Sequence, residues 1–176
     1  MSALIATALS VGVLAGIATW IFLAVGTILI WAAFVAWACF FHCGGDNDAL
    51  KTTIAGNVFG VIAGWVAALV ILYVPLAEAL TLPLWAGIVV LVTVVIVCLA
   101  SAIPLLASIP AAVYGYACAF AFLLQTPDKL TQAALVAPNF DNVLVNVIVS
   151  MVIGALFGWA SGQLAGVLTK SAAPAQ

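Results

Sequence analysis

Arginine is absent from this 176-residue chain, which carries three lysines, one histidine and five acidic residues. Charged side chains make up 5% of the residues and apolar ones 68%, and the mean hydropathy is +1.42. A soluble domain of this size would have almost nothing to offer water, so the composition excludes one and points to an integral membrane protein. With no basic cluster and a formal net charge of -2, nucleic acid and polyanionic lipid headgroups are excluded as main ligands. No Asp, Glu, Lys or Arg stands mid-span, where ion-coupled transport needs a group to carry a proton or cation. Enzyme chemistry is as poorly supplied: there are no paired intramembrane carboxylates, no Ser/His or Cys/His pairing across spans and no phosphate loop. No cofactor site is expected. Cys39, Cys43, Cys98 and Cys118 lie in or beside apolar segments rather than in loops, which argues against a disulfide framework and reads as small buried hydrophobes.

No charged residue occurs between Met1 and Phe41 or between Ala79 and Pro127. A membrane-spanning helix needs about 20 apolar residues, so each run holds two spans. Thr52 to Ala77 and Asn142 to Thr169 hold one span each. The expectation is therefore an all-α membrane protein, one transmembrane domain over residues 1–176 with six transmembrane helices. The N-terminal stretch has no basic n-region and is longer than the apolar core of an export signal, so it reads as a retained first span.

Span 1 is about Ala3 to Val25, with a Gly12-xxx-Gly16 pair, and turns near Gly26 and Thr27. Span 2, "ILIWAAFVAWACFF", is short: at about 1.5 Å per residue it reaches about 21 Å, against about 30 Å of hydrocarbon. It must be tilted, shielded by protein, or only part-way through. In "HCGGDND", Gly44 and Gly45 supply a helix stop, and Asp46, Asn47 and Asp48 a polar start for span 3, Ala49 to Val74. "PLAEALTLP" is an extramembrane connection at the chain's midpoint, and span 4 is Leu84 to Ile103. Pro104 and Pro110 frame the next turn, Ser108 is placed to cap span 5, and span 5, "AAVYGYACAFAFLLQ", is short again. The loop "TPDKLTQAALVAPNFD" has room for a turn or two of amphipathic helix. Span 6 runs from Asn142 to about Leu168, and the tail "TKSAAPAQ" is expected to fray.

Spans 3 and 6 carry glycine ladders: Gly56, Gly60 and Gly64 in one, and Gly154, Gly158, Gly162 and Gly166, preceded at the same step by Asn146 and Ser150, in the other. Glycine at every fourth position leaves a groove without side chains, which admits another backbone closely, so these residues are assigned to helix packing near the centre of the bundle. The two halves echo each other. "WACFF" in span 2 answers "YACAF" in span 5, aligning Cys39 with Cys118, and Gly60-xxx-Gly64-Trp65 aligns with Gly154-xxx-Gly158-Trp159. With three spans per unit, the second enters the membrane upside down. The expectation is a 3+3 inverted repeat, residues 3–74 and 84–168, each with one short and one laddered helix. Lys51 and Lys170 fall on the side of the termini and Lys129 on the other, which favours cytoplasmic termini.

Asn57 and Asn146 are the deepest polar residues of the ladder helices, and a buried amide marks either a helix–helix hydrogen bond or the wall of a wet pathway. Thr52, Thr53, Ser150 and Ser161 share that choice. Trp85 and Trp31 read as interfacial belt residues, whereas Trp65 and Trp159 lie deeper and serve packing or line a constriction. His42, with Cys43, Asp46 and Asp48, has the donor types of a metal site, but no second cluster completes it, and an imidazole ending a helix against its dipole is the plainer reading.

The order of features resembles the bacterial membrane family called domain of unknown function 1097. The matching stretches are "LAGIATW" at 14–20, "WAAFVAWACFFHCGG" at 31–45, "IAGNVFGVIAGW" at 54–65, "SIPAAVYGYACAFAF" at 108–122 and "GALFGW" at 154–159. The resemblance implies a multi-pass inner-membrane protein and brings no established catalytic residue. Two functions remain in view. One is a channel or transporter for a small uncharged solute, lined by Asn57, Asn146, Trp65, Trp159, Thr52 and Ser150, since amides, carbonyls and aromatic constrictions select neutral solutes without buried charge. The other is a non-transporting membrane subunit, whose partners would be the lipid bilayer and either copies of itself or a larger complex.

Overall fold

The computed structural model describes residues 1–170; of the tail expected to fray, Thr169 and Lys170 instead continue the last helix, and residues 171–176 lie outside the described residues. Its regular structure is entirely helical: α1 (Ala3–Val25), α2 (Ile30–His42), α3 (Asn47–Tyr73), α4 (Ala77–Leu80), α5 (Leu82–Leu99), α6 (Ile109–Gln125), α7 (Gln132–Val136) and α8 (Val143–Lys170). Two 3-10 turns, Ala100–Ala102 and Pro104–Leu106, bridge α5 to α6. Four helical stretches are long and apolar enough to cross a membrane: Ala3–Val25, Asn47–Tyr73, Leu82–Ala102 and Val143–Thr169. The two apolar helices α2 and α6 are shorter, at 13 and 17 residues. The chain is a multi-pass α-helical membrane protein.

The helix ends follow local chemistry. Ser2 caps α1, and Gly26, at φ 74°, closes it. After α2, Gly44 and Gly45 take positive φ values of 121° and 74°, open to glycine at little cost, and turn the chain toward α3. Asp46 then opens α3 by accepting from the Ala49 N–H at 2.7 Å. Ser108 does the same for α6 with the Ala111 N–H at 3.3 Å, beside Pro110 in the first turn. The loop expected to hold a turn or two of helix contains α7, capped by Thr131.

The ladders of α3 and α8 do not face each other. Each is filled by the short helix of the other half: α3 packs most extensively on α6, and α8 on α2. A Cβ added at Gly60 would overlap the Ala112 carbonyl oxygen and stand 2.7 Å from the Tyr116 nitrogen, and one added at Gly154 would overlap the Ala33 carbonyl. One turn further on, Gly64 faces Tyr116 and Ala119, while Gly158 faces Trp37 and Phe40. Small residues on the short helices (Ala33 and Ala36 on α2; Ala111, Ala112, Gly115 and Ala119 on α6) make this approach possible, which is why the ladders meet them. Gly56 meets the Ala111 methyl, whereas Gly162 has ordinary clearance and Gly166 opens on space.

Contact order along these pairs fixes direction. Residue numbers rise together from Gly56 to Gly64 against Ala111 to Ala119, and from Gly154 to Gly158 against Ala33 to Phe40, so α3 runs parallel to α6 and α8 parallel to α2. By contrast α3 and α8 are antiparallel, since Asn47 at the start of α3 meets Trp159 late in α8. The outer long helices complete the arrangement, α1 against α8 and α5 against α3. The central core, including Ala36, Val61, Cys118, Phe122, Leu135, Val147 and Met151, lies where α2, α3, α6 and α8 converge.

Because the overlaps at Gly60 and Gly154 are with backbone, even a methyl cannot be absorbed by a rotamer change. Gly60→Ala and Gly154→Ala should each cost about 1–3 kcal/mol by overpacking, while Gly12→Ala, whose added methyl meets nothing within 4 Å, should not. Thermal unfolding in detergent reads this; equal melting temperatures for all three variants would show that the ladders are not backbone contacts.

Candidate functional site

Seven polar residues are buried within the described chain: Ser10, Thr53, Asn57, Asn142, Asn146, Ser150 and Ser161. Most are tied to backbone, as a buried polar group in hydrocarbon must be. Asn146 donates from Nδ2 to the Phe140 carbonyl at 2.9 Å and accepts from the Ser150 hydroxyl at 3.4 Å. Ser150 in turn accepts from the Leu29 N–H at 2.9 Å, where the chain enters α2. These two residues, expected as glue or pathway wall, hold the start of the short helix α2 against α8. Ser161 accepts from the Trp37 indole at 3.0 Å and donates to the Gly158 carbonyl at 2.6 Å, locking the same pair of helices at its other end.

The two ladder tryptophans occupy matching places and do similar work. Trp65, half-buried, donates its indole N–H to the Leu135 carbonyl at 2.8 Å, and Trp159, also half-buried, donates to Asn47 Oδ1 at 2.8 Å. Trp65 ties the α7 segment to α3, and Trp159 ties the start of α3 to α8. Trp31 is 40% exposed, whereas Trp85, expected in the interfacial belt, packs inward among residues that include Ala67 and Ile71 of α3. Its ring lies near the start of α5, where α3 flanks it closely enough to cover the indole.

The Trp85 indole N–H is buried without a partner, and so are the polar groups of Thr53 and Asn57. Thr53 and Asn57 are one helical turn apart on α3 and so share a face. Thr53 is wholly buried and Asn57 is 2% exposed, yet the Thr53 hydroxyl and both Asn57 amide atoms have no hydrogen-bond partner. Thr52, the other candidate, is only half-buried and points off this face. The Cα of Gly115 on α6 packs against the Asn57 backbone, and the Cys39 thiol of α2 lies against the Thr53 hydroxyl, so the pair sits at the junction of α2, α3 and α6. From Cys39 outward, Cys43 Sγ is 4.0 Å away and is itself 3.6 Å from the Ser108 hydroxyl. At the surface the exposed His42 ring bonds through Nδ1 to the Tyr114 hydroxyl at 2.9 Å. The only signal that could have raised Thr53 above Thr52 in the sequence is its position four residues before Asn57.

A family model described as protein of unknown function DUF1097 matches residues 8–166, nearly the whole chain. The chain belongs to this family. No curated protein and no solved structure matches it. Membership in the DUF1097 family therefore assigns no activity, and the arrangement of the residues carries the functional argument. Among the described residues, no three His, Cys, Asp or Glu side chains converge in a metal-binding arrangement. His42 and Cys43 instead face Tyr114 and Ser108 of the α6 side.

On the opposite side of the bundle, Lys129 pairs with Asp141 across the loop that holds α7. The hydrogen-bonded Lys129 ammonium holds the Asp141 carboxyl below its ordinary value. Since the folded pKa is depressed, whatever the pair contributes to holding the loop is complete above the ordinary carboxylate pKa and is lost as pH falls through the lowered folded value. Lys129→Met should raise the Asp141 pKa toward the ordinary value, as followed by carboxyl-carbon NMR; an unchanged titration would show that the pair does not form.

Proposed function

We propose that this chain is a pathway for a small uncharged solute across a bacterial inner membrane. In this reading it is a six-span inverted repeat, α1 to α3 repeated by α5, α6 and α8, with both termini cytoplasmic. The exchange of short helices supports the repeat: aligning Gly60 with Gly154 and Cys39 with Cys118 also aligns Ala112 with Ala33, so the two closest backbone approaches in the bundle are the same contact made twice. Antiparallel α3 and α8, each with a parallel short partner, fit a chain whose spans alternate in direction, with α2 and α6 counted among them.

The observation that carries conduction is the unpartnered Asn57 amide beside the unpartnered Thr53 hydroxyl. Each buried unsatisfied group costs about 1–3 kcal/mol, and a leucine at position 57 would avoid the cost if packing were the residue's only task. An uncharged polar lining with no carboxylate or amine nearby suits a neutral solute, whose movement is indifferent to membrane voltage. The runner-up, an assembly subunit, is favoured by one feature: Gly12 and Gly16 of α1 have no neighbour, and Leu9, Val13 and Trp20 around them are exposed, a face fit for a second copy or another membrane helix.

Swelling of proteoliposomes in urea or glycerol separates the two. Asn57→Leu should cut the swelling rate at least tenfold while leaving stability unchanged or raised. Asn146→Leu, which strands the Phe140 carbonyl and the Ser150 hydroxyl, should lower stability by about 1–3 kcal/mol. Vesicles that swell no faster than protein-free ones in either solute would remove the conduction reading and leave the assembly reading.

A further inference from the structure

The polar file at the bundle centre is one-sided. Along the cytoplasmic half of the proposed path, from the His42 loop inward, come Cys43, Cys39, Thr53 and Asn57. The repeat alignment gives each a counterpart in the other half: Phe122 for Cys43, Cys118 for Cys39, Val147 for Thr53 and Met151 for Asn57. Three of these four are fully apolar, and Phe122, Val147 and Met151 are each at most 1% exposed in the same core cluster. The two halves therefore build one frame and line it differently. One side offers two thiols, a hydroxyl and an amide, and the other a single thiol, Cys118, among hydrocarbon and thioether.

We infer that Thr53 and Asn57 form a solute-binding site reached only from the His42 side, past Cys43 and Cys39, and closed toward the far side by Phe122, Val147 and Met151. This rests on the conduction reading above and deepens it by fixing where the solute sits and what it must be. The Asn57 amide presents both a donor and an acceptor, and the Thr53 hydroxyl can act as either, with all of them free. A ligand that satisfies them must itself both donate and accept within a few ångströms, as urea, a small primary amide or a pair of waters does. A solute with acceptors alone, such as a small ether, offers the Asn57 carbonyl oxygen no donor. A charged solute meets no counter-charge, since the ionisable side chains of the neighbouring loop, Asp46, Asp48 and Lys51, are exposed at the mouth.

The native cysteines report on the path without any substitution. In sealed vesicles of defined orientation, a small uncharged hydroxyethyl methanethiosulfonate is applied briefly from one side, with glutathione on the other side to scavenge what crosses, and each cysteine is scored by peptide mass spectrometry. Cys43 and then Cys39 should be modified from the His42 side only, and molar urea should slow Cys39 modification severalfold while dimethyl ether at the same concentration does not. Thr53→Val and Asn57→Leu should each abolish the urea protection; if either fails to fold, the sidedness and the urea effect in the unaltered protein still decide. Cys39 modified from neither side, from both sides equally, or without regard to urea overturns the site. Solute flux with an inaccessible Cys39 overturns the site but leaves conduction standing, whereas an accessible, urea-protected Cys39 in a protein that passes no solute keeps the site and removes conduction.

Discussion

Backbone against backbone, at Gly60 on Ala112 and at Gly154 on Ala33, is the contact on which the arrangement depends. Lipid tails are as apolar as leucine, so burying leucine against leucine gains little inside a bilayer, and helices are held by close van der Waals approach and by hydrogen bonds instead. These two contacts bring α6 onto α3 and α2 onto α8 closely enough that the Asn57 carbonyl touches the Gly115 Cα, and every polar group placed between the helices must then find its partner within that fixed geometry. The second consequence concerns the short helices. An N-terminus such as that of α2 leaves backbone N–H groups without intrahelical partners, and at membrane depth irregular backbone is tolerated only where protein satisfies it. Ser150, oriented by Asn146, supplies an acceptor to the Leu29 N–H, so the close contact and the buried polar pair belong to one solution.

Seen this way, the buried polar residues divide into those that hold the frame and those that do not. Ser150 accepts from the Leu29 N–H and Ser161 from the Trp37 indole across α2 and α8, and Asn146 bonds the Phe140 carbonyl and Ser150 beside them. Trp65 and Trp159 fasten a loop carbonyl and the Asn47 side chain at matching points of the two ladders. Thr53 and Asn57 bond nothing, although they are as deeply buried as the rest. In the proposed repeat alignment the position of Asn57 on α3 is held on α8 by Met151, fully packed, whereas the amide has its hydrogen-bonding capacity unused. Packing explains the methionine. It does not explain the amide.

Much of the fold was legible because membrane helices are bounded by blunt signals. Uncharged runs gave the long helices, the Gly44–Gly45–Asp46 sequence gave the α2–α3 turn, and Ser108 before Pro110 gave the cap of α6, whose first residue, Ile109, precedes the expected span. The glycine ladders announced close approach but not its target, because a groove without side chains accepts any small-faced helix, and Ala33 and Ala112 look like ordinary alanines until the halves are exchanged. Side-chain partners were less legible still. Asn57 and Asn146 are the same residue type in comparable positions, and nothing local distinguishes them; the difference arises because the Phe140 carbonyl reaches one and no carbonyl reaches the other. Trp85 illustrates the converse: its place at a helix start fits the interface, but the covering surface of α3 comes from a segment nearly twenty residues earlier in the chain.

The exchange of short helices also sets a schedule for biosynthesis. When α3 leaves the translocation machinery its glycine groove has no occupant, for α6 is completed only after about fifty further residues, which at about 5–20 residues per second is a delay of roughly three to ten seconds. During that interval the small-residue faces of α2 and α3 are open to lipid or to the nascent helices of a neighbouring ribosome's product. Neither half can complete its own packing, so a chain truncated after the Val74–Thr81 connection retains two unfilled surfaces that are complementary to a second half. Docking of α6 onto α3 and of α8 onto α2 can therefore begin only after the second half of the chain has been made.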